Sequence, residues 1–275
     1  MTKSSIVQIL RKKFGRKALG RRLTIKGISW MFPESPARAY VAARYGLCSQ
    51  LESDIYEHMH TLKRYAKECS TIAELGVRSV VSTWAFISGL SSSTSGERRL
   101  ICLDVEPIPE ERLLWWVCEQ SGIQLQVIRG DSARTPVGVV DLLFIDTLHV
   151  EGHLKRELEL HSEKVNKFII LHDTTTDGET GETARTGADI SALSDKTGYS
   201  TQELSRGLMH AVRYFLARSP EWRIAEQYTN NNGLTVLARE NVAIPGDHSL
   251  DAPGFRVSDA QAEMRISNIH KISLP

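Results

Sequence analysis

The sequence predicts an α/β protein built on a doubly wound, mostly parallel sheet with helices ahead of it. Three observations point to that class. Five short apolar runs, "STIAELG", "RRLICLDV", "IQLQVIRG", "VDLLFIDT" and "KFIILHDT", have the texture of strands buried between covering layers. Stretches of helical period lie between most of them, as crossover connections between parallel strands require. After them, "WRIAEQYT" and "GLTVLAR" are joined through Asn230, Asn231, Asn232 and Gly233, and an Asn-Gly turn between extended runs signals a hairpin. The expected sheet therefore has seven strands: five parallel ones and a terminal antiparallel pair.

The 275 residues are enough for one large α/β domain with appendages. A composition 41% hydrophobic and 24% charged excludes a disordered chain, a collagen-like repeat and a disulfide scaffold. No apolar run approaches the roughly 18–20 residues that span a bilayer. The cations near the start are not followed by the apolar region of a secretory signal, so a cytoplasmic location is the expectation. Cys48, Cys69, Cys102 and Cys118 form no CxxC pair and read as reduced packing residues.

Residues 1–30 read as a basic arm. Nine cations, from Lys3 to Lys26, occur there with no acid among the first 26 residues. The plain reading is a solvated terminus. Ile6, Ile9, Leu10, Phe14 and Leu19 lie among those cations, a loosely amphipathic pattern that also suits an anionic membrane or a protein partner. A net charge of +1, from 34 basic and 33 acidic residues, gives no whole-chain attraction for nucleic acid.

The main domain is expected over residues 31–240. It opens with "FPESPARAYVAARYGL", a turn and a helix, and with Ile55, Met59, Leu62, Tyr65 and Ala66 at helical spacing. Helices are then expected near Val80–Leu90, Pro109–Ser121 and Gly152–Lys164, between the strands. The stretch 174–207, rich in Thr, Gly, Asp and Ser, is too long for an ordinary connection and follows a strand end, so it is expected to be a lid. The helix "GLMHAVRYFLARSP" leads into the hairpin, and residues 241–275 form a tail without clear period.

Ligands of open parallel sheets sit beyond the carboxyl ends of the strands. The first strand ends in Glu74 and Gly76, followed by the hydroxyls of Ser82 and Thr83. The second ends in Asp104, placed to accept from ribose hydroxyls, and the third in Asp131 and Ser132. Asp146 ends the fourth, with His149 three residues on, and His172 and Asp173 end the fifth. Were those two strands adjacent, about 4.8 Å apart, Asp146 and Asp173 would converge, and a hard divalent ion such as magnesium would relieve their repulsion. Helix capping by the acids and an interior role for His172 are the plain alternative.

The runs "AELGVRSVVSTWAFISGL" and "LICLDVEP", and above all "VDLLFIDTLHVEGHLKRELELHSEKVNKFIILHDTTT", resemble class I S-adenosylmethionine-dependent methyltransferases with a Rossmann-like sheet. More narrowly they are similar to the group of cephalosporin-hydroxylase-like proteins and metal-dependent sugar O-methyltransferases, over roughly residues 45–240. The resemblance implies that Glu74, Gly76, Ser82 and Thr83 wrap the methionine end of the cofactor, that Asp104 holds its ribose, and that Asp131 and Ser132 lie beside its adenine. It implies magnesium ligands at Asp146, His172 and Asp173, and a general base at His149. Two positions depart from the family's pattern. Val80 replaces the third glycine of the cofactor turn, which predicts an altered loop or a cofactor seated further out. His172 precedes Asp173 where sugar-type relatives commonly carry Glu, which removes one negative charge.

These features favour an O-methyltransferase, with magnesium assisting, that acts on a hydroxyl of a sugar, glycan or polyhydroxylated small molecule. Arg78 could pair with Glu74 or the cofactor carboxylate, whereas Trp84 and His210 read as packing residues. An oxygenase would need two His with a carboxylate, one His more than Asp146, His172 and Asp173 provide unless His149 also ligates. A non-catalytic scaffold of the same fold, docked through its basic arm, is the other alternative, and a homo-oligomer is compatible with either.

Overall fold

The computed structural model describes residues 35–94 and 96–246. The basic arm and the tail beyond residue 246 lie outside the described residues. Helix α1 (Pro36–Cys48), a short 3-10 turn (Tyr56–His58) and α2 (Met59–Lys67) precede the sheet. Strands β1 (Thr71–Leu75), β2 (Arg99–Asp104), β3 (Gln124–Arg129), β4 (Val140–Ile145) and β5 (Val165–His172) follow, with α3 (Val81–Leu90) after β1, α4 (Glu111–Gln120) after β2 and α5 (Glu151–His161) after β4. Three short helices, α6 (Glu182–Arg185), α7 (Ile190–Thr197) and α8 (Thr201–Ser205), lead to α9 (Leu208–Arg218) and the strands β6 (Trp222–Tyr228) and β7 (Leu234–Arg239).

The seven strands lie in the order β3-β2-β1-β4-β5-β7-β6, parallel except for β7, which is antiparallel to both its neighbours. This is the Rossmann-like sheet the apolar runs predict. Every residue of β4 is buried, whereas β3, at the sheet edge, alternates with solvent. Because successive side chains of a strand face opposite ways, Leu142 and Phe144 enter the core under α1–α4, and Leu143 and Ile145 enter the core under α5 and α9.

Helix α3 is apolar on nearly every side and is buried from Ser82 to Leu90, as such a composition requires. Gly89 makes this fit possible, since a Cβ there would lie 2.4 Å from the Ala66 side chain of α2. Burial of each large side chain, such as Trp84, Phe86 and Leu62, contributes about 1.5–3 kcal/mol. Cys69, Cys102 and Cys118 are free and buried, and Cys48 is free and partly buried. Among the described residues no helix is long and apolar enough to cross a membrane.

The chain runs from β1 outward through β2 to β3 and then returns to place β4 on the other side of β1. That reversal opens the crevice where such sheets bind ligands, between the carboxyl ends of β1 and β4. Segment 174–207, read as a lid, is folded rather than irregular. Tyr199 and Leu204 form a small core with Val150, and Ser200 and Glu203 make a reciprocal capping box on α8.

Candidate active site

At the end of β1 the chain turns through Gly76, Val77, Arg78, Ser79 and Val80. Gly76, Arg78 and Val80 all have left-handed backbones, with φ of 81°, 45° and 65°. Val80 therefore keeps the conformation a glycine would take, at the cost of strain that a β-branched residue rarely bears. Two acceptors hold the turn: the Leu103 carbonyl, which takes the Gly76 N–H, and Asp104 Oδ2, which takes the N–H groups of Val77 and Arg78 at 2.8 and 3.0 Å. Asp104 Oδ1 accepts from Glu106 N. Asp104 thus sits beside the turn, with its hydrogen bonds made to backbone, while the carboxylate retains further lone pairs for hydroxyl donors.

Glu74, Ser82 and Thr83 meet one another. Both hydroxyls donate to the Glu74 carboxyl, and all three side chains are buried. Burial pushes the Glu74 pKa up to about 8, against the opposing effect of those two hydrogen bonds. The structure therefore gives these three residues the job of tying α3 to β1. Arg78 reaches out to Asp54 at 2.6 Å rather than to Glu74. Asp131 Oδ1 caps Ala133 N at the end of β3. Ser132 is buried and donates to Glu157, in a network where Glu157 also accepts from Thr147 and His153 contacts Tyr199. Ser132 therefore faces α5. His210 pairs with Glu179 at 3.4 Å instead of packing in the core, and Trp84 is fully buried as expected.

The residues at the ends of β4 and β5 converge. These strands are neighbours, with Ile145 opposite Leu171. Asp146, His149 and Asp173 each bring one ligand atom within 4.8 Å of the others, a group able to hold a metal ion. His149 Nε2 is 3.2 Å from Asp146 and 3.3 Å from Asp173. His172 Nδ1 lies 3.3 and 2.9 Å from the same two carboxylates, while its Nε2–H faces the Asn231 carbonyl at 3.3 Å. Asp173 takes a left-handed backbone, φ 56°, which turns the chain out of β5 at the cluster.

The sequence reading separated a base, His149, from ligands at Asp146, His172 and Asp173. The structure instead points both imidazoles at one pair of carboxylates. Side-chain exposures of 22% for Asp146, 17% for His149 and 8% for Asp173 leave the cluster partly open to solvent.

The electrostatics follow from that geometry. Burial would raise Asp146, but hydrogen bonds from His149 and His172 hold it well below the usual carboxylate range. Burial would lower both imidazoles, yet hydrogen bonds to Asp146, together with Asp177 for His149 and Asp173 for His172, raise each to about 10. Positive charge is thus favoured at this point, as imidazolium protons or as a cation replacing them.

The site also recruits residues that the strand-end reading missed. Asp177, fully buried in the segment after β5, lies 3.5 Å from His149 Nδ1 and is gripped by Arg185. The turn between β6 and β7 supplies the carbonyl behind His172 and is locked in place at Gly233, where a Cβ would fall 2.5 Å from the Thr175 amide. An acid in a Thr/Gly-rich stretch and a hairpin carbonyl carry no motif, so only the folded chain reveals them.

No protein-family model and no curated protein matches the sequence. Solved structures similar to this chain include a methyltransferase from Podospora anserina, PaMTH1, bound to SAH (TM-score 0.42, 16% identity, 73% of this chain and 88% of that one). Cofactor-bound Rv0187 from MTB has a TM-score of 0.44 at 15% identity, covering 77% of this chain and 93% of its own. An O-methyltransferase from Bacillus cereus in complex with SAH has a TM-score of 0.42 at 13% identity, covering 78% and 96%.

Proposed function

We propose that the chain is an S-adenosylmethionine-dependent O-methyltransferase that works with magnesium on a hydroxyl of a sugar, glycan or other polyhydroxylated small molecule. One observation carries this reading: the turn at Gly76 and the acidic cluster share a wall. A Cβ on Gly76 would fall 1.9 Å from the Asp146 carbonyl oxygen, and the Asp146 N–H bonds to Leu75. A donor resting on the turn and an acceptor at Asp146 and Asp173 would be neighbours, as in-line displacement demands.

The donor set suits a hard ion, since two carboxylates offer oxygens at one point. When bound, magnesium would acidify the acceptor hydroxyl and the sulfonium would supply the methyl group. Asp146 and Asp173 hold the ion in this reading. His172, anchored through Nε2–H to Asn231, faces the same carboxylates and fixes their orientation. His149 Nε2, facing Asp146 and Asp173 at 3.2 and 3.3 Å, would join them as the third ligand in place of the general-base role expected for it, and the acceptor's proton would pass to solvent. Asp104 holds the turn through the N–H groups of Val77 and Arg78, and segment 174–207, which brings Asp177 and Glu182 to His149, sets acceptor choice.

Calorimetry of S-adenosylhomocysteine binding, with and without magnesium, tests the assignment on wild type and Asp104→Ala, with melting curves as the folding control. Micromolar binding that Asp104→Ala abolishes is expected. No binding under either condition refutes the assignment.

An oxygenase is the second reading, because His149 and His172 now both face Asp146 and Asp173, which supplies the two imidazoles such iron sites use. Tight Fe(II) binding without binding of S-adenosylhomocysteine would favour it. Cofactor binding without turnover on any acceptor would favour a non-catalytic protein.

A further inference from the structure

The segment after β5 does more than cover the acidic cluster. We infer that Asp177 is a positioning residue that fixes the tautomer of His149, and that Arg185 clamps Asp177 for this purpose; the inference rests on the metal-centre reading above. His149 has one ring nitrogen on each side of a boundary. Nε2 faces Asp146 and Asp173 at 3.2 and 3.3 Å, while Nδ1 faces Asp177 and Glu182, each at 3.5 Å. With a cation at the carboxylates, Nε2 must present its lone pair, so the ring proton belongs on Nδ1 and needs an acceptor there.

Of the two acids, only Asp177 is built for that role. It is fully buried, and its carboxylate is held by the Arg185 fork, with Nε at 2.5 Å and Nη2 at 3.0 Å. Its backbone is pinned as well, the N–H to the Asp173 carbonyl and the carbonyl to the Leu208 N–H. Asp177 is therefore fixed relative both to the ligand Asp173 and to α9. Glu182, by contrast, has a side chain 38% exposed. A carboxylate–imidazole–metal arrangement of this kind raises ligand basicity and orients the ring, and removing the outer partner typically weakens metal binding about 10–100-fold.

The experiment uses the full chain with cobalt(II) as probe, because its visible absorption reports imidazole ligation, and with magnesium for long-range 1H–15N spectra of the histidine rings. Wild type should bind cobalt(II) and show His149 as the Nδ1–H tautomer. Asp177→Asn, whose amide can donate to Nδ1, should shift His149 toward Nε2–H and weaken cobalt(II) binding about 10–100-fold. Glu182→Gln should weaken it less than Asp177→Asn does.

A merely structural Asp177 would lower the melting temperature but leave tautomer and affinity at wild-type values, and that result overturns the inference while the metal centre stands. Wild type that binds neither ion overturns both. If Asp177→Asn does not fold, Arg185→Gln carries the test, since Arg185 lies on the exposed side of the pair. Affinity and tautomer unchanged in Arg185→Gln would then refute the clamp.

Discussion

Gly76→Ala is the sharpest test of the wall between the turn and the acidic cluster. Two costs combine at this position. The left-handed backbone, φ 81°, disfavours any Cβ by about 1–2 kcal/mol. That Cβ would also lie 1.9 Å from the Asp146 carbonyl oxygen and 2.7 Å from its carbon, both backbone atoms at the end of a fully buried strand. Forcing them apart costs about 1–3 kcal/mol, as overpacking does elsewhere. A loss of about 2–5 kcal/mol is expected, and at about 2–4 °C per kcal/mol for a domain of this size the melting temperature should fall by roughly 4–20 °C.

Val80→Gly is the matched control. It relieves about 1–2 kcal/mol of left-handed strain but forfeits about 1.5–3 kcal/mol of side-chain burial, so its net effect should stay within about 2 kcal/mol. Thermal melting of the two variants, with metal affinity measured on each, decides the matter. Gly76→Ala should also weaken metal binding, because the displaced backbone carries the ligand Asp146. A Gly76→Ala protein that melts within a degree or two of wild type, or that is less destabilised than Val80→Gly, refutes the shared wall.

Other outcomes follow from the titrating groups. In metal-free protein His149 and His172 are raised to about 10, so their contribution to stability is complete below about 6.5 and is lost as the pH rises through about 10. Asp146 is depressed, so its contribution is present above about 3.8 and is lost as the pH falls through its lowered folded value. Metal-free melting temperatures should therefore decline toward pH 10, and His172→Gln should flatten that decline. Metal binding near neutral pH should release protons, detectable by calorimetry in buffers of different ionisation enthalpy; binding with no proton release would contradict the displacement of imidazolium protons. Glu74 is raised to about 8, so its contribution is complete below about 4.5 and is lost as the pH rises through about 8. Glu74→Gln should remove that slope from the stability profile between pH 5 and pH 8, and an unchanged slope would show that the buried carboxyl is not its source.

Strands, their order of appearance and the closing hairpin were legible from the sequence because burial on two faces leaves apolar runs, and an Asn-Gly turn needs backbone angles that few residues adopt. Strand-end acids were legible for the same reason: Asp104, Asp146 and Asp173 stand where an apolar run stops. Their partners were not. Whether a polar side chain at a strand end faces a ligand or a neighbour depends on which helix packs above it, and that depends on contacts far apart in the chain. Glu74 thus meets Ser82 and Thr83, and Ser132 turns under α5 toward Glu157.

By itself, then, the sequence determined the class of sheet and the line of acids along its carboxyl edge, because both follow from local periodicity. Tertiary structure alone decided that β4 lies beside β5, so that Asp146, Asp173, His149 and His172 share one point, and that Asp177 stands behind His149. It also decided that Val80 keeps a glycine's backbone, because the turn is held by the Leu103 carbonyl and the Asp104 carboxylate rather than by the residue at position 80. The physical reason is the same in each case. Propensity acts over a few residues, whereas a charge cluster is assembled by strand adjacency and by the packing that makes its geometry the least costly one available.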